Sequence, residues 1–213
     1  RRWFGGKGHR ITRLRVVSRT SVCHGGEHLV LGVEIDGRSS QIYQVPVFFE
    51  GRSGAGVIAE VEGGYLHDGL ARVEVVTSLL TVGGPAVLNP AGTGERPLAQ
   101  WRRDPGVLGA CRILDVEQSN TSVVLDDSVL VKFFRLLSPG INPDIEVHAG
   151  LAEVGCADVG ELLGWVNGGW TDPASGHTVH GHLAMIQEFF PGSIAFNFCR
   201  NACTSFHEIC STG

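Results

Sequence analysis

Between Arg10 and Glu62 apolar and polar residues alternate in short runs, the pattern of strands with one buried face. Residues 10–20, 27–36, 39–49 and 56–62 each carry this alternation or a β-branched run. Gly25-Gly26, Asp36-Gly37 and the glycines between 51 and 56 supply turn chemistry between them. Asp36-Gly37-Arg38 is the strongest hairpin signal, because a glycine at positive φ matches strand twist. Over residues 66–80 the period becomes helical, with Leu70, Val73, Val76, Thr77 and Leu80 on one side. The Gly/Pro-rich stretch GGPAVLNPAGTG at 83–94 then separates this region from the rest. Residues 111–146 read as two short strands, a tight turn at Asp126-Asp127, a third strand and a capped helix. Asn142 is the N-cap, Pro143 takes the first helical position, Asp144 is an acid in the first turn, and Gly155 ends the helix. Residues 161–167 predict a strand, 168–176 a hairpin loop and 178–190 the return strand. The whole is an α+β pattern.

One charge interrupts the apolar periodicity. Lys132 sits inside VLVKFF (129–134), sharing a strand face with Leu130 and Phe134. A lysine there is either an edge gatekeeper with its charge in solvent or a buried cation that needs a partner. Two neighbours favour the second reading. Upstream, Ser119, Asn120, Thr121 and Ser122 form a small polar run able to offer N–H groups and hydroxyls to an anion. Downstream, Glu146 is the candidate carboxylate, on a helix side shared with Ala149, Gly150 and Glu153.

Composition narrows the classes. The 213 residues are 43% hydrophobic, enough for a substantial core. A net charge of −5 and a pI near 6.0 argue against general nucleic-acid or anionic-membrane binding. No run reaches the ~20 apolar residues of a membrane span, and no signal peptide is read at the start. Gly5-Gly6-Lys7-Gly8 lacks the spacing of a phosphate-binding P-loop and reads as a packed segment anchored by Trp3 and Phe4. Cys23, Cys111 and Cys156 are isolated in apolar settings. Cys199, Cys203, His207 and Cys210 match no common zinc template, and His177, His180 and His182 have no acidic or thiol neighbours to complete a metal site. Reduced thiols in a cytoplasmic protein are the expectation.

Four segments, in order, carry a family resemblance: RRWFGGKGHRI at 1–11, IYQVPV at 42–47, EQSNTSVVLDDSVLVKFFRLLSPGINPDIEV at 117–147 and HLAMIQEFFPG at 182–192. On these the chain resembles the N-terminal half of actinobacterial maltokinases and their glucosamine-kinase relatives, which have an aminoglycoside-phosphotransferase-like kinase fold. The resemblance implies a cap subdomain over 1–87, a curved antiparallel sheet with a helix. It implies a kinase-like nucleotide-binding N-lobe over 88–192 and leaves 193–213 as an atypical tail. It implies ATP as ligand, with Lys132 on the α/β-phosphates, Glu146 orienting Lys132, and Ser119, Asn120, Thr121 and Ser122 covering the phosphates. Gln187, Glu188 and Phe189 would pair with the adenine edge, and Met185 or Ile186 would line the back of the pocket. The family's HGD-type catalytic loop and Mg²⁺ ligands belong to a helical C-lobe not found in these residues, so no catalytic residue and no metal ligand are assigned here. The expectation is the N-terminal part of an ATP-dependent kinase for maltose or an amino sugar such as glucosamine, inactive alone, its sugar acceptor held by the C-lobe. A stand-alone binding or scaffold module is the alternative, and a cap joined to an unrelated β-domain is a third.

Overall fold

Short polar turns reverse the chain, and aspartates make the tightest of them. Asp36 (φ 51°) is followed by Gly37 (φ 70°), and Asp126 (φ 46°) by Asp127 (φ 49°). Aspartate tolerates this left-handed region better than most residues because its short side chain can bond locally. In the computed structural model, which describes residues 3–37, 40–54, 56–81, 97–102, 108–114, 119–156 and 159–190, these turns help to build two antiparallel sheets.

The first sheet contains β1 (Ile11–Cys23), β2 (Gly26–Ile35), β3 (Gln41–Glu50), β4 (Val57–Val61) and β5 (Gly64–Asp68), in the order β1-β2-β3-β5-β4. The second contains β6 (Leu98–Trp101), β7 (Cys111–Leu114), β8 (Asn120–Leu125), β9 (Val129–Phe134), β11 (Leu162–Thr171) and β12 (Thr178–Glu188), in the order β6-β11-β12-β9-β8-β7. A two-residue strand, β10 (Leu136–Leu137), leaves the second sheet and pairs with Tyr43 and Ile42 of β3. The fold is therefore sheet-rich α+β, with two α-helices among the described residues: α1 (Val73–Leu80) and α2 (Pro143–Glu153).

Two predicted boundaries move. The helix expected over 66–80 begins at Val73. Tyr65, Leu66 and His67 are drawn into β5 between β3 and β4, and Asp68 caps a 3-10 turn by accepting from the Leu70 N–H. Pairing on both edges outweighs the local helical period. Gly69 also packs against the Pro46 and Val47 backbone, where a Cβ would meet it at 2.9 Å. The hairpin loop expected over 168–176 contracts to the turn that follows Thr171. Gly168 pairs with Gly181 inside β11, at a position where a Cβ would collide with Leu183, and Asp172 closes the turn by accepting from Ala174 and Ser175. Asn120, Thr121 and Ser122 of the polar run open strand β8.

Helix α1 lies between the sheets. It buries Val75, Val76, Leu79 and Leu80 in a core shared with Val123, Val131 and Val166 of the second sheet. Its Ser78 hydroxyl donates to the Val22 carbonyl, and the Trp101 indole donates to the Leu80 carbonyl at 2.9 Å. A smaller cluster of Val33, Tyr43, Val45 and Val47 is packed against by Trp3 and Phe4. The expected boundary at 87/88 and the tail at 193–213 lie outside the described residues.

Candidate functional site

Lys132 stands mid-strand in β9, directly opposite Ser122 on β8 and Met185 on β12. Cross-strand partners share a face, so the ammonium, the serine hydroxyl and the methionine lie on one side of the second sheet. Lys132 is 21% exposed, and its Nζ donates to Asp144 Oδ2 at 2.7 Å. It is thus neither a solvent-facing gatekeeper nor, in this ion pair, the partner of Glu146. The carboxylate that receives it comes from the first turn of α2. Glu146 lies two residues further, about 200° around the helix, and is exposed.

The approach of α2 explains that choice. The Gly140 N–H donates to the His180 carbonyl at 2.8 Å, and the Asn142 N–H donates to His182 Nδ1 at 3.0 Å. Asn142 then caps the helix by accepting from the Asp144 N–H at 3.0 Å, so the helix start is fastened to β12 and its first acid falls over β9. Accepting at Nδ1 puts the ring proton of His182 on Nε2, and burial lowers the pKa of this histidine. His182 fastens the start of α2. Among the described residues no group of three or more His, Cys, Asp or Glu could hold a metal. Cys199, Cys203, His207 and Cys210 lie outside them.

The polar run divides between the two faces of β8. Ser122 is fully buried, and its Oγ has no hydrogen-bond partner among the described residues. Thr121 faces the other way and accepts from Arg135 Nε at 2.8 Å. It is committed to the interior and cannot cover a ligand on the Lys132 side. Ser119 is exposed, and Asn120 opens β8 opposite Phe134. At the far end of the same strip, Gln187 pairs with Leu130. The Glu188 N–H donates to the Glu161 carbonyl at 2.9 Å, and the Phe189 N–H donates to the Ser128 carbonyl at 2.8 Å. These two donors, expected to meet an adenine edge, are occupied by the fold. Met185 and Ile186 are buried, and Met185 pairs with Lys132 across the sheet. From Asn120 to Ser128 the strip measures about 20 Å along the hairpin at the usual strand rise.

Sequence reasoning missed a second polar cluster, where the sheets meet. Arg135 is fully buried. Its Nη2 donates to Asp68 Oδ1 and Oδ2 at 3.0 and 2.8 Å, and its guanidinium lies 4.7 Å from the Trp3 ring centroid. Beside it Gln44, also fully buried, donates through Nε2 to the carbonyls of Phe134 at 2.7 Å and Leu183 at 2.5 Å. Its Oε1 therefore accepts, and His28 Nε2 is the donor at 3.0 Å. Burial is the main cause that drops the His28 pKa to about 4, with the Arg135 charge adding to it against the Gln44 bond. The signals were present in the letters: an amide inside IYQVPV and an arginine between FF and LL. A separate trough of about 320 Å³ on the first sheet, lined by Arg19, Ser21, Glu27 and Phe49 among others, contains none of the expected site residues.

Residues 1–82 match the family model of the maltokinase N-terminal cap domain. The match spans β1 to β5 and α1, so this region is maltokinase-like. It stops short of β10, which completes the same sheet from the later chain.

Proposed function

We propose that this chain is the nucleotide-binding portion of an ATP-dependent sugar kinase of the maltokinase kind, with maltose or glucosamine as acceptor. The observation that carries the reading is the Lys132–Asp144 pair: a strand lysine held by an acid of the following helix, downstream of a maltokinase-like cap. Protein kinases use this arrangement of strand lysine and helix acid to grip the α/β-phosphates. Here the acid is an aspartate in the first helical turn.

The residues on the Lys132 face suit a polyanion. Lys132 supplies the charge and Asp144 holds its rotamer. Ser122 Oγ, buried and unpartnered beside it, is a donor that a phosphate oxygen would satisfy. Leu130 and Val124 provide an apolar floor toward the Asp126-Asp127 turn, where a base would lie. Bound ATP supplies the transferable γ-phosphoryl group. On this reading the Mg²⁺ ligands and the base that takes the acceptor proton lie outside the described residues. Asn120 and Ser119 remain candidates for covering the phosphates, whereas Thr121 is withdrawn.

The test is nucleotide binding by the chain itself, followed calorimetrically and by thermal shift with Mg·ADP and Mg·ATP. Weak saturable binding that Lys132→Met abolishes supports the reading; with ligand at 100 times its Kd, stability should rise by about 2.7 kcal/mol. No ATP-dependent phosphorylation of maltose or glucosamine is expected from the isolated chain. Nucleotide binding that survives Lys132→Met unchanged removes the assignment.

A further inference from the structure

We propose that Gln44, on the first sheet, is a positioning residue for the Lys132–Asp144 pair of the second sheet. It acts through its two bonds to the Phe134 and Leu183 carbonyls. This rests on the nucleotide reading of Lys132 only for its functional meaning; the geometry stands apart from it.

The described pairing of β9 with β12 runs to Phe133 and Ala184, and Leu183 falls in a bulge between β11 and β12. Where β9 and β12 part, one carboxamide spans them. Its two hydrogens serve the two carbonyls, and its oxygen takes the His28 proton. The Gln44 main chain adds a third hold, its N–H donating to the Arg135 carbonyl at 2.9 Å.

Each bond leads to one partner of the ion pair. Phe134 is two residues beyond Lys132 on the same strand. Leu183 adjoins His182, whose Nδ1 receives the Asn142 N–H and so fixes the start of the helix that carries Asp144. Gln44 thus ties the strand that bears the ammonium to the strand that anchors the carboxylate. Asparagine is one methylene short, and glutamate, the isostere, presents oxygen to two carbonyl oxygens and repels them. Because Gln44 is fully buried, water cannot take over either bond.

Lys7 and Lys132 are the lysines of this chain, and Lys7 is exposed, so one molecule carries its own reference. Reductive methylation with ¹³C-formaldehyde, read by NMR, gives the Lys132/Lys7 modification ratio and the shift of the Lys132 dimethylamine signal. In the wild type, Lys132 should react more slowly than exposed Lys7, because its ammonium is only 21% exposed and held by Asp144. Gln44→Glu and the milder Gln44→Asn should each raise the ratio about fivefold and move the Lys132 signal toward that of Asp144→Asn. Val75→Ala, a cavity in the α1 core away from this joint, should lower the unfolding midpoint with the ratio unchanged. If Gln44→Asn lowers the midpoint as Val75→Ala does but leaves ratio and shift at their wild-type values, Gln44 is merely structural and the proposal is overturned. Mg·ADP binding by the wild type separates the two ideas. Binding with an unresponsive ratio overturns positioning alone, and a responsive ratio without binding overturns the nucleotide reading alone.

Discussion

Lys132 Nζ and Asp144 Oδ2 meet at 2.7 Å across 12 residues of chain. In between, the chain crosses to the first sheet as β10, returns, and is pinned to β12 twice before the helix begins. The pair therefore reports the state of a loop held at both sheets, and not only a local attraction.

Asp144 and Glu146 can be told apart by exchange. Asp144→Asn should weaken Mg·ADP binding about tenfold, or 1.4 kcal/mol. Because both partners keep solvent contact, the cost to stability should be about 1 kcal/mol or less. Glu146→Gln should change neither quantity measurably. Titration calorimetry and urea unfolding on the two variants decide it, and a larger loss in Glu146→Gln than in Asp144→Asn would return the role to Glu146.

The Arg135–Asp68 pair belongs to a different regime, since the guanidinium is fully buried and the carboxylate nearly so. Taking one charge away strands the other, at about 3–5 kcal/mol. Asp68→Asn is the informative variant, because asparagine keeps an acceptor for the Leu70 N–H while removing the charge. Arg135→Met combined with Asp68→Asn should be more stable than the sum of the single losses implies. A single-variant cost below 1 kcal/mol in urea unfolding would mean the pair is open to water.

His28 gives the protein a defined acid limit. Its folded pKa of about 4 lies below the ordinary 6.5, so the unfolded chain takes up the proton first. Stability should be full above pH 6.5 and fall progressively as the pH drops from 6.5 to about 4, by about 3 kcal/mol from this residue. The urea midpoint of the wild type measured against pH, with His28→Gln as comparison, tests the assignment; that variant should lose this component of the slope. A wild-type curve flat across that window contradicts it.

Two glycines should respond to alanine with opposite signs. A Cβ on Gly181 would press into the Ser138 carbonyl and the Trp170 ring, displacing the loop that leads to α2, and should cost about 1–3 kcal/mol. Gly150, inside α2, meets nothing within 4 Å, so alanine there should stabilise the helix by about 0.5–1 kcal/mol. Thermal unfolding of both variants checks the pair of signs.

Much of this arrangement was legible in the letters, for identifiable reasons. A lysine inside VLVKFF stands out against an apolar period, and Asn142-Pro143 announces a helix start by local rules alone. Choosing Asp144 over Glu146 was not possible from sequence. That choice depends on the angle at which α2 meets β9, set by contacts from Gly140 and Asn142 to the distant His180 and His182. Thr121 and Ser122 read alike as small polar residues, yet strand alternation sends one to Arg135 and the other to Lys132. Gln44 and Arg135 were overlooked because their partners, Leu183 and Asp68, are far away in sequence, and only the meeting of the two sheets supplies them.

The maltokinase cap match ends at residue 82, but the sheet it describes does not end there. Leu136 and Leu137 pair with β3 beyond the reach of β5, so a polypeptide cut after the match would leave Ile42 and Tyr43 as a raw margin. It would also bare an amide and a carboxylate, Gln44 and Asp68, whose counterparts had been discarded. An excised 1–82 segment should therefore be less stable than the whole chain and self-associate along that margin.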